Sequence, residues 1–168
     1  MTAIRLDHVS VTCADLDRSI SFYRDVLGLA FLGRGESDGE DVSQITGLPD
    51  VRLLWAELDL GGGQLLELLQ YTSPVGGALR QRTNEPGSGH IGLAVEDIDR
   101  LWRRLVEADA TVRSEPVELS EAGDWNGVRS MYVLDPDGVT IELVERPRTE
   151  RVIELPEVEE RLGAQPLE

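Results

Sequence analysis

The chain has 168 residues, 40% of them hydrophobic, and a formal net charge of −16. That length suits one domain with a real core, and no apolar stretch is long enough to span a bilayer. The charge argues against a nucleic-acid partner, which normally calls for a basic face, but not against an anionic small molecule, since a metal and a few arginines reverse a local field. No charged-then-apolar segment precedes Ile4, so no secretory signal is expected. A lone Cys13 cannot form an internal disulfide, which fits a reducing, cytoplasmic setting. Every basic residue is Arg, a compositional bias given no functional weight.

The predicted elements begin with a strand from Ile4 to Thr12, in which His8, Ser10 and Thr12 alternate with Val9 and Val11. Asp15 or Asp17 then caps a helix that carries Ile20, Tyr23, Val26 and Leu27 as an apolar stripe and stops at Gly28. Residues 33–50 are polar and rich in Gly, Asp and Ser, and are expected to form a long loop or lid. Strands follow over 51–60 and 64–71, hinged at Gly61-Gly62-Gly63, and residues 72–89 link to a second half.

That second half restates the first. A strand around His90 places Gly92 and Ala94 on the histidine's face and Ile91, Leu93 and Val95 on the other. Asp97 or Asp99 caps a helix with Ile98, Leu101, Trp102, Leu105 and Val106 on one side. A short strand is expected over 115–119, a loop over 120–127, and a hairpin of 128–134 with 139–145 turning at Asp135-Pro136-Asp137-Gly138. Residues 148–168 mix charge with Val152, Ile153, Leu155, Val158 and Leu162 outside the repeat: a docking helix, an arm, or a partly disordered end.

Laid over each other without a gap, HVSVTCADLDRSISFYRDVLGLAF and HIGLAVEDIDRLWRRLVEADATVR share the histidine, both aspartates and the following arginine. These are the only two histidines in the chain. Each half also ends in an apolar run broken by a glutamate, Glu67 in QLLELLQ and Glu142 in VTIELVE. Two imidazoles and two carboxylates make a ligand set for a divalent metal, Zn, Ni, Co, Mn or Fe, among which spacing cannot choose. An isolated histidine on a strand is more often hydrogen-bonded than metallated; what lifts His8 and His90 is their equivalence in the repeat. Glu142 lies between Ile141 and Leu143, where an unpaired carboxylate would be costly. Glu67 shares a face with Leu65 and Leu69, and an arginine partner is its plain alternative. Arg52 and Arg129 stand in matching Val-Arg pairs and suit either a substrate anion or a surface ion pair. Trp125 lies in a loop that would cover a substrate.

With LDHVSVTCADLDRSISFYRDVLGL, GHIGLAVEDIDRLWRRL and YVLDPDGVTIELVE in this order over residues 4–146, the chain resembles the vicinal oxygen chelate superfamily. That superfamily includes glyoxalase I, methylmalonyl-CoA epimerase, extradiol dioxygenases and the bleomycin and fosfomycin resistance proteins. The resemblance implies an α+β fold of two tandem βαβββ modules, about 4–72 and 88–146. Their curved, mostly antiparallel sheets close around a cavity, with 147–168 as a C-terminal extension. It implies His8, Glu67, His90 and Glu142 as metal ligands, with Glu67 and Glu142 as the carboxylates that move a proton. It further implies a small-molecule substrate and a homodimer.

The function implied is a divalent-metal-dependent isomerase or lyase, of glyoxalase I or acyl-CoA epimerase type, which stabilises an enediolate. Two other classes stand beside it. One is an Fe(II) extradiol-like dioxygenase, disfavoured because those enzymes have no ligand at the Glu67 position. The other is a metal-free antibiotic-binding resistance protein, disfavoured because that group lacks the ligand residues. No basic cluster of the kind that grips CoA phosphates is evident.

Overall fold

The computed structural model describes residues 5–78, 82–120 and 123–147; the C-terminal extension beyond Pro147 lies outside them. Its elements are two copies of one pattern. The first comprises β1 (His8–Thr12), α1 (Leu16–Ser21) running into a π turn (Phe22–Val26), β2 (Ala30–Asp38), α2 (Glu40–Thr46), β3 (Arg52–Gly61) and β4 (Gln64–Ser73). The second comprises β5 (His90–Ala94), α3 (Ile98–Glu107), β6 (Val117–Glu118), β7 (Arg129–Leu134) and β8 (Thr140–Glu145). Each copy builds a four-stranded sheet in which first and last strands pair in parallel and the rest antiparallel, in the orders β1-β4-β3-β2 and β5-β8-β7-β6. The fold is therefore α+β with two tandem βαβββ modules.

The helix starts follow from their caps. Asp15 accepts a hydrogen bond from the Arg18 N–H and Asp97 accepts one from the Arg100 N–H, each satisfying a donor that the first turn leaves free. Gly61, Gly62 and Gly63 all take positive φ, which makes the β3–β4 hairpin possible where a side chain would be strained.

Residues 33–50 correct the expectation of a long loop. Gly33 to Asp38 complete β2, paired with β3, and Glu40 to Thr46 form a helix that ends at Gly47 in the left-handed region. The physical reason is that β2 is an edge strand with glycines at 33 and 35, so it shows no apolar alternation. Helix α2 buries none of its residues, so it carries no apolar stripe.

One core serves both modules. Val11, Leu58, Leu66 and Leu68 of the first sheet join Met131, Val133, Ile141 and Leu143 of the second, together with Leu16, Ile20 and Tyr23 of the first helical segment and Ile98 and Leu105 of α3. The buried polar tie between modules is the Tyr23 hydroxyl, which donates to Asp135 Oδ2 at 3.0 Å. Asp135 Oδ1 accepts the Asp137 and Val139 N–H groups and so shapes the β7–β8 turn. Arg18 reaches Asp137 at 2.6 Å, and Arg104 of α3 donates to the Asp25 carbonyl at 2.7 Å. Burial pushes the Asp135 carboxyl and the Tyr23 hydroxyl up, so the phenol stays protonated as the donor of this pair.

Candidate functional site

Strand alternation sends Val11, Leu58, Leu66 and Leu68 of the first sheet and Met131, Val133, Ile141 and Leu143 of the second into the core, and leaves the histidines on the other face. His8, Ser10 and Thr12 of β1 are exposed, as are His90, Gly92 and Ala94 of β5. The parallel registers place Ser10 beside Glu67 and Gly92 beside Glu142. Each histidine therefore meets a glutamate across the first and last strands of its own module, on the open face.

The two pairs differ in geometry. His90 Nε2 lies 3.0 Å from Glu142 Oε2, and the Ser130 hydroxyl donates to Glu142 Oε1 at 2.9 Å. Gly92 lies beside this carboxylate, and a Cβ there would make only ordinary contact, 4.0 Å from Glu142 Oε2. Tyr132, the cross-strand neighbour of Glu142, tilts its ring against His90 with centroids 5.4 Å apart. In the first module His8 Nε2 stands 3.8 Å from Glu67 Oε2, and no hydrogen bond restrains Glu67 among the described residues. What orients His8 is Asp7, whose Oδ2 lies 3.0 Å from Nδ1. With Nδ1–H donating to Asp7, Nε2 is left with its lone pair toward Glu67. The Asp7 hydrogen bond holds the His8 imidazole above its ordinary range, outweighing a small loss of hydration, with Glu67 and Glu57 adding to it.

These donors fit a divalent cation. Each pair offers an imidazole nitrogen and a carboxylate oxygen on one open face, and Asp7 and Ser130 are the hydrogen-bonding partners that fix ligand orientation at such centres. The fold nevertheless keeps the pairs separate. Among the described residues, no three His, Cys, Asp or Glu side chains come together closely enough to hold a metal.

The remaining candidates are placed elsewhere. Arg129 forms a bidentate pair with Asp99 at 2.7 and 2.8 Å and reaches Glu145 at 3.3 Å, on the helix side of the second sheet. A substrate anion would have to displace those carboxylates. Arg52 is exposed at the start of β3, beside Asp38 and Ser73. The Trp125 ring lies under the Arg146 guanidinium, whose Cζ is 4.9 Å from the ring centre. Cys13 is buried with its thiol pushed up by burial, which leaves little thiolate for a nucleophilic role.

Asp7, Ser130, Tyr132 and Glu57 are absent from the set of residues read from the sequence. Asp7 needed only its place next to His8. The others needed the register: Tyr132 opposite Glu142, and Glu57 opposite Glu67.

Comparison with known proteins agrees with this architecture. The sequence pattern of the Glyoxalase/Bleomycin resistance protein/Dioxygenase superfamily matches residues 5–143. A 2-epi-5-epi-valiolone epimerase from Actinomyces sp. is 27% identical over 86% of this chain and 81% of its own length. A lactoylglutathione lyase from Haemophilus influenzae is 29% identical over 84% of this chain and 93% of its own. Among solved structures, a glyoxalase family protein from Bacillus cereus superimposes with a TM-score of 0.76 at 28% identity, covering 87% of this chain and 96% of that one.

Proposed function

The chain belongs to the Glyoxalase/Bleomycin resistance protein/Dioxygenase superfamily, and from that premise we propose that it is a divalent-metal-dependent isomerase acting on the carbon next to a carbonyl group. We further propose that it works as a homodimer. Each active site then joins the His8–Glu67 face of one protomer to the His90–Glu142 face of the other. One observation carries this reading: each sheet presents a complete His–Glu pair on an open face, while among the described residues of one chain no three such ligands come together. Two donors are too few for a stable centre, and the twofold symmetry common in dimers supplies the missing two at both faces at once. Relatives that are an epimerase and a lyase support the reaction class.

A bound divalent cation would supply Lewis acidity, stabilising the negative charge that a carbonyl oxygen gains when its neighbouring carbon loses a proton. His8 and His90 would hold it through Nε2, and Glu142 would hold it through Oε2 while Ser130 occupies Oε1. Glu67, free of any such restraint, is the carboxylate that turns to take the proton from carbon. In an epimerisation the opposite face of that carbon takes a proton from solvent, and Glu67 gives its own proton up to solvent, while Glu142 stays with the cation. The proton leaves carbon for a Glu67 oxygen, and the carbon–hydrogen bond re-forms from the other side, so no oxidant or reductant is needed.

The test is complementation between two dead variants. His8→Ala and His90→Ala each break both sites of their own dimers and should bind no stoichiometric metal. Mixed and allowed to exchange, they form hybrid dimers that carry one intact site. About a quarter of the wild-type metal content and of the proton-exchange activity should return. No recovery on mixing, with wild-type metal content intact, would place the site within one chain. A wild-type protein without stoichiometric metal would overturn the reading altogether.

A further inference from the structure

A cavity of about 470 Å³ opens where the two histidine-bearing faces meet the segment that joins the modules. Two of its wall residues belong to the first face. Thr12 follows His8 and Ser10 at alternate positions of β1, and Tyr71 follows Glu67 and Leu69 in the same way along β4. The second face supplies Thr140, two residues before Glu142 in β8 and the register partner of His90. Neighbouring strands stand about 4.8 Å apart, so this wall adjoins the His90–Glu142 pair. Ser88 and Gly89, which lead into His90, line the cavity as well. The cavity therefore begins beside the second half-site.

Its chemistry differs from that of the half-sites. Leu48 after α2, Val75 after β4 and Val139 in the β7–β8 turn give it an apolar lining. Leu48 is 42% exposed and Val75 78%, so an apolar rim faces solvent in a chain whose net charge is −16. Asp137 is the charged residue among the described ones that line the cavity. Arg18 at 2.6 Å and the Ser19 hydroxyl at 3.4 Å already engage its two oxygens. No basic side chain stands among those lining residues. The volume lies within the roughly 300–1,000 Å³ of small-molecule sites. An anionic tail would lose its hydration there without a partner, whereas an alkyl or aryl group gains from every carbon removed from water.

On the proton-transfer reading above, we infer that this cavity holds the non-reacting part of the substrate, and that this part is an uncharged alkyl or aryl group. The substrate is then a small ketone or aldehyde with an apolar substituent. Its carbonyl end lies at the His90–Glu142 pair, and its substituent runs past Thr140 toward Val139 and Leu48. Burial of the substituent holds the reacting carbon in place and leaves the charges of both half-sites to the cation and the proton.

The test is a series of 1-hydroxy-2-ketones, from four to eight carbons long, on the metal-loaded full-length protein. Affinity, read by saturation-transfer NMR, should rise about fourfold with each added methylene. The eight-carbon ketone should bind at least about tenfold tighter than its counterpart ending in a carboxylate. Thr12→Trp fills the cavity from an exposed strand position and should flatten the series while metal content stays stoichiometric. Leu48→Ala, on the exposed rim, gives the same comparison whether or not Thr12→Trp folds. It should weaken the eight-carbon ketone about fivefold and leave the four-carbon one unchanged. A flat series in the wild type, equal binding of the carboxylate, or wild-type affinity for the eight-carbon ketone in Leu48→Ala would overturn the inference. Deuterium uptake at the carbon next to the carbonyl judges the proton-transfer reading separately. Uptake without dependence on chain length would keep that reading and sink the cavity's role, and dependence on chain length without uptake would do the reverse.

Discussion

The two half-sites started as copies and no longer behave as copies. In the second module Glu142 is held at both oxygens, by His90 at 3.0 Å and Ser130 at 2.9 Å, with Tyr132 packed beside the imidazole. In the first module Glu67 stands 3.8 Å from His8, and its cross-strand neighbour is a second carboxylate, Glu57. Like charges directly opposite on antiparallel strands repel, so the register position that steadies one glutamate unsettles the other. Exposure follows the same order: the Glu67 side chain is 28% exposed and that of Glu142 18%. A duplicated fold thus preserves ligand positions while the residue across the strand decides whether each carboxylate is fixed or free.

The largest way to break this comparison is to neutralise each glutamate in turn. Glu67→Gln should cut α-proton exchange by about 10²- to 10⁴-fold while the protein still takes up metal, whereas Glu142→Gln should lose metal first. Equal losses of metal in both variants, measured beside deuterium uptake, would mean that the two carboxylates have the same role.

Ser130→Ala sharpens the contrast by making the second half-site resemble the first. Metal affinity should fall about 10- to 100-fold, as expected when a partner that orients a ligand is removed, and titration calorimetry reads it directly. An unchanged affinity would show that Ser130 does not hold Glu142.

The tie between modules gives a third measurement. Tyr23→Phe leaves Asp135 Oδ2 without its donor in a buried setting and should cost about 1–3 kcal/mol in urea unfolding. Because burial raises the Asp135 carboxyl, the folded chain holds that proton more tightly than the unfolded chain does. Its contribution to stability therefore falls as pH rises from the ordinary 3.8 through the raised value, and it is level above that. Relative to Asp135→Asn, the wild type should lose stability as pH rises from about 4, and a parallel pH dependence of the two would refute the assignment.

The smallest effect belongs to His8. In the metal-free chain its Cε1 proton should titrate above the ordinary 6.5, and Asp7→Asn should bring the midpoint back down, because the leading cause of the shift is then gone. A midpoint that ignores the substitution would point to Glu67 and Glu57 instead.

Much of this was legible in the chain. The repeat located His8 and His90 on matching strands, and the interrupted apolar runs located Glu67 and Glu142, because strand alternation and helix stripes are written in neighbouring residues. The reading failed where burial is slight. β2 lies at a sheet edge and α2 buries nothing, so neither carries the apolar period that marks an element. Arg129 shows why a matching dipeptide says little about role: its Val-Arg pair recurs in the first module, yet Asp99, thirty residues away, engages its guanidinium.

By itself, then, the sequence determined the two-module α+β fold and the residue types available for chemistry, since both depend on local pattern and on donor atoms. Only the tertiary structure decided which strands lie side by side. That arrangement puts Tyr132 and Ser130 with Glu142, Glu57 with Glu67, and Trp55 over Gly35. It also holds the two His–Glu pairs apart within one chain. Such contacts join residues distant in sequence, and they are fixed by strand register and by a core shared between modules rather than by any local preference.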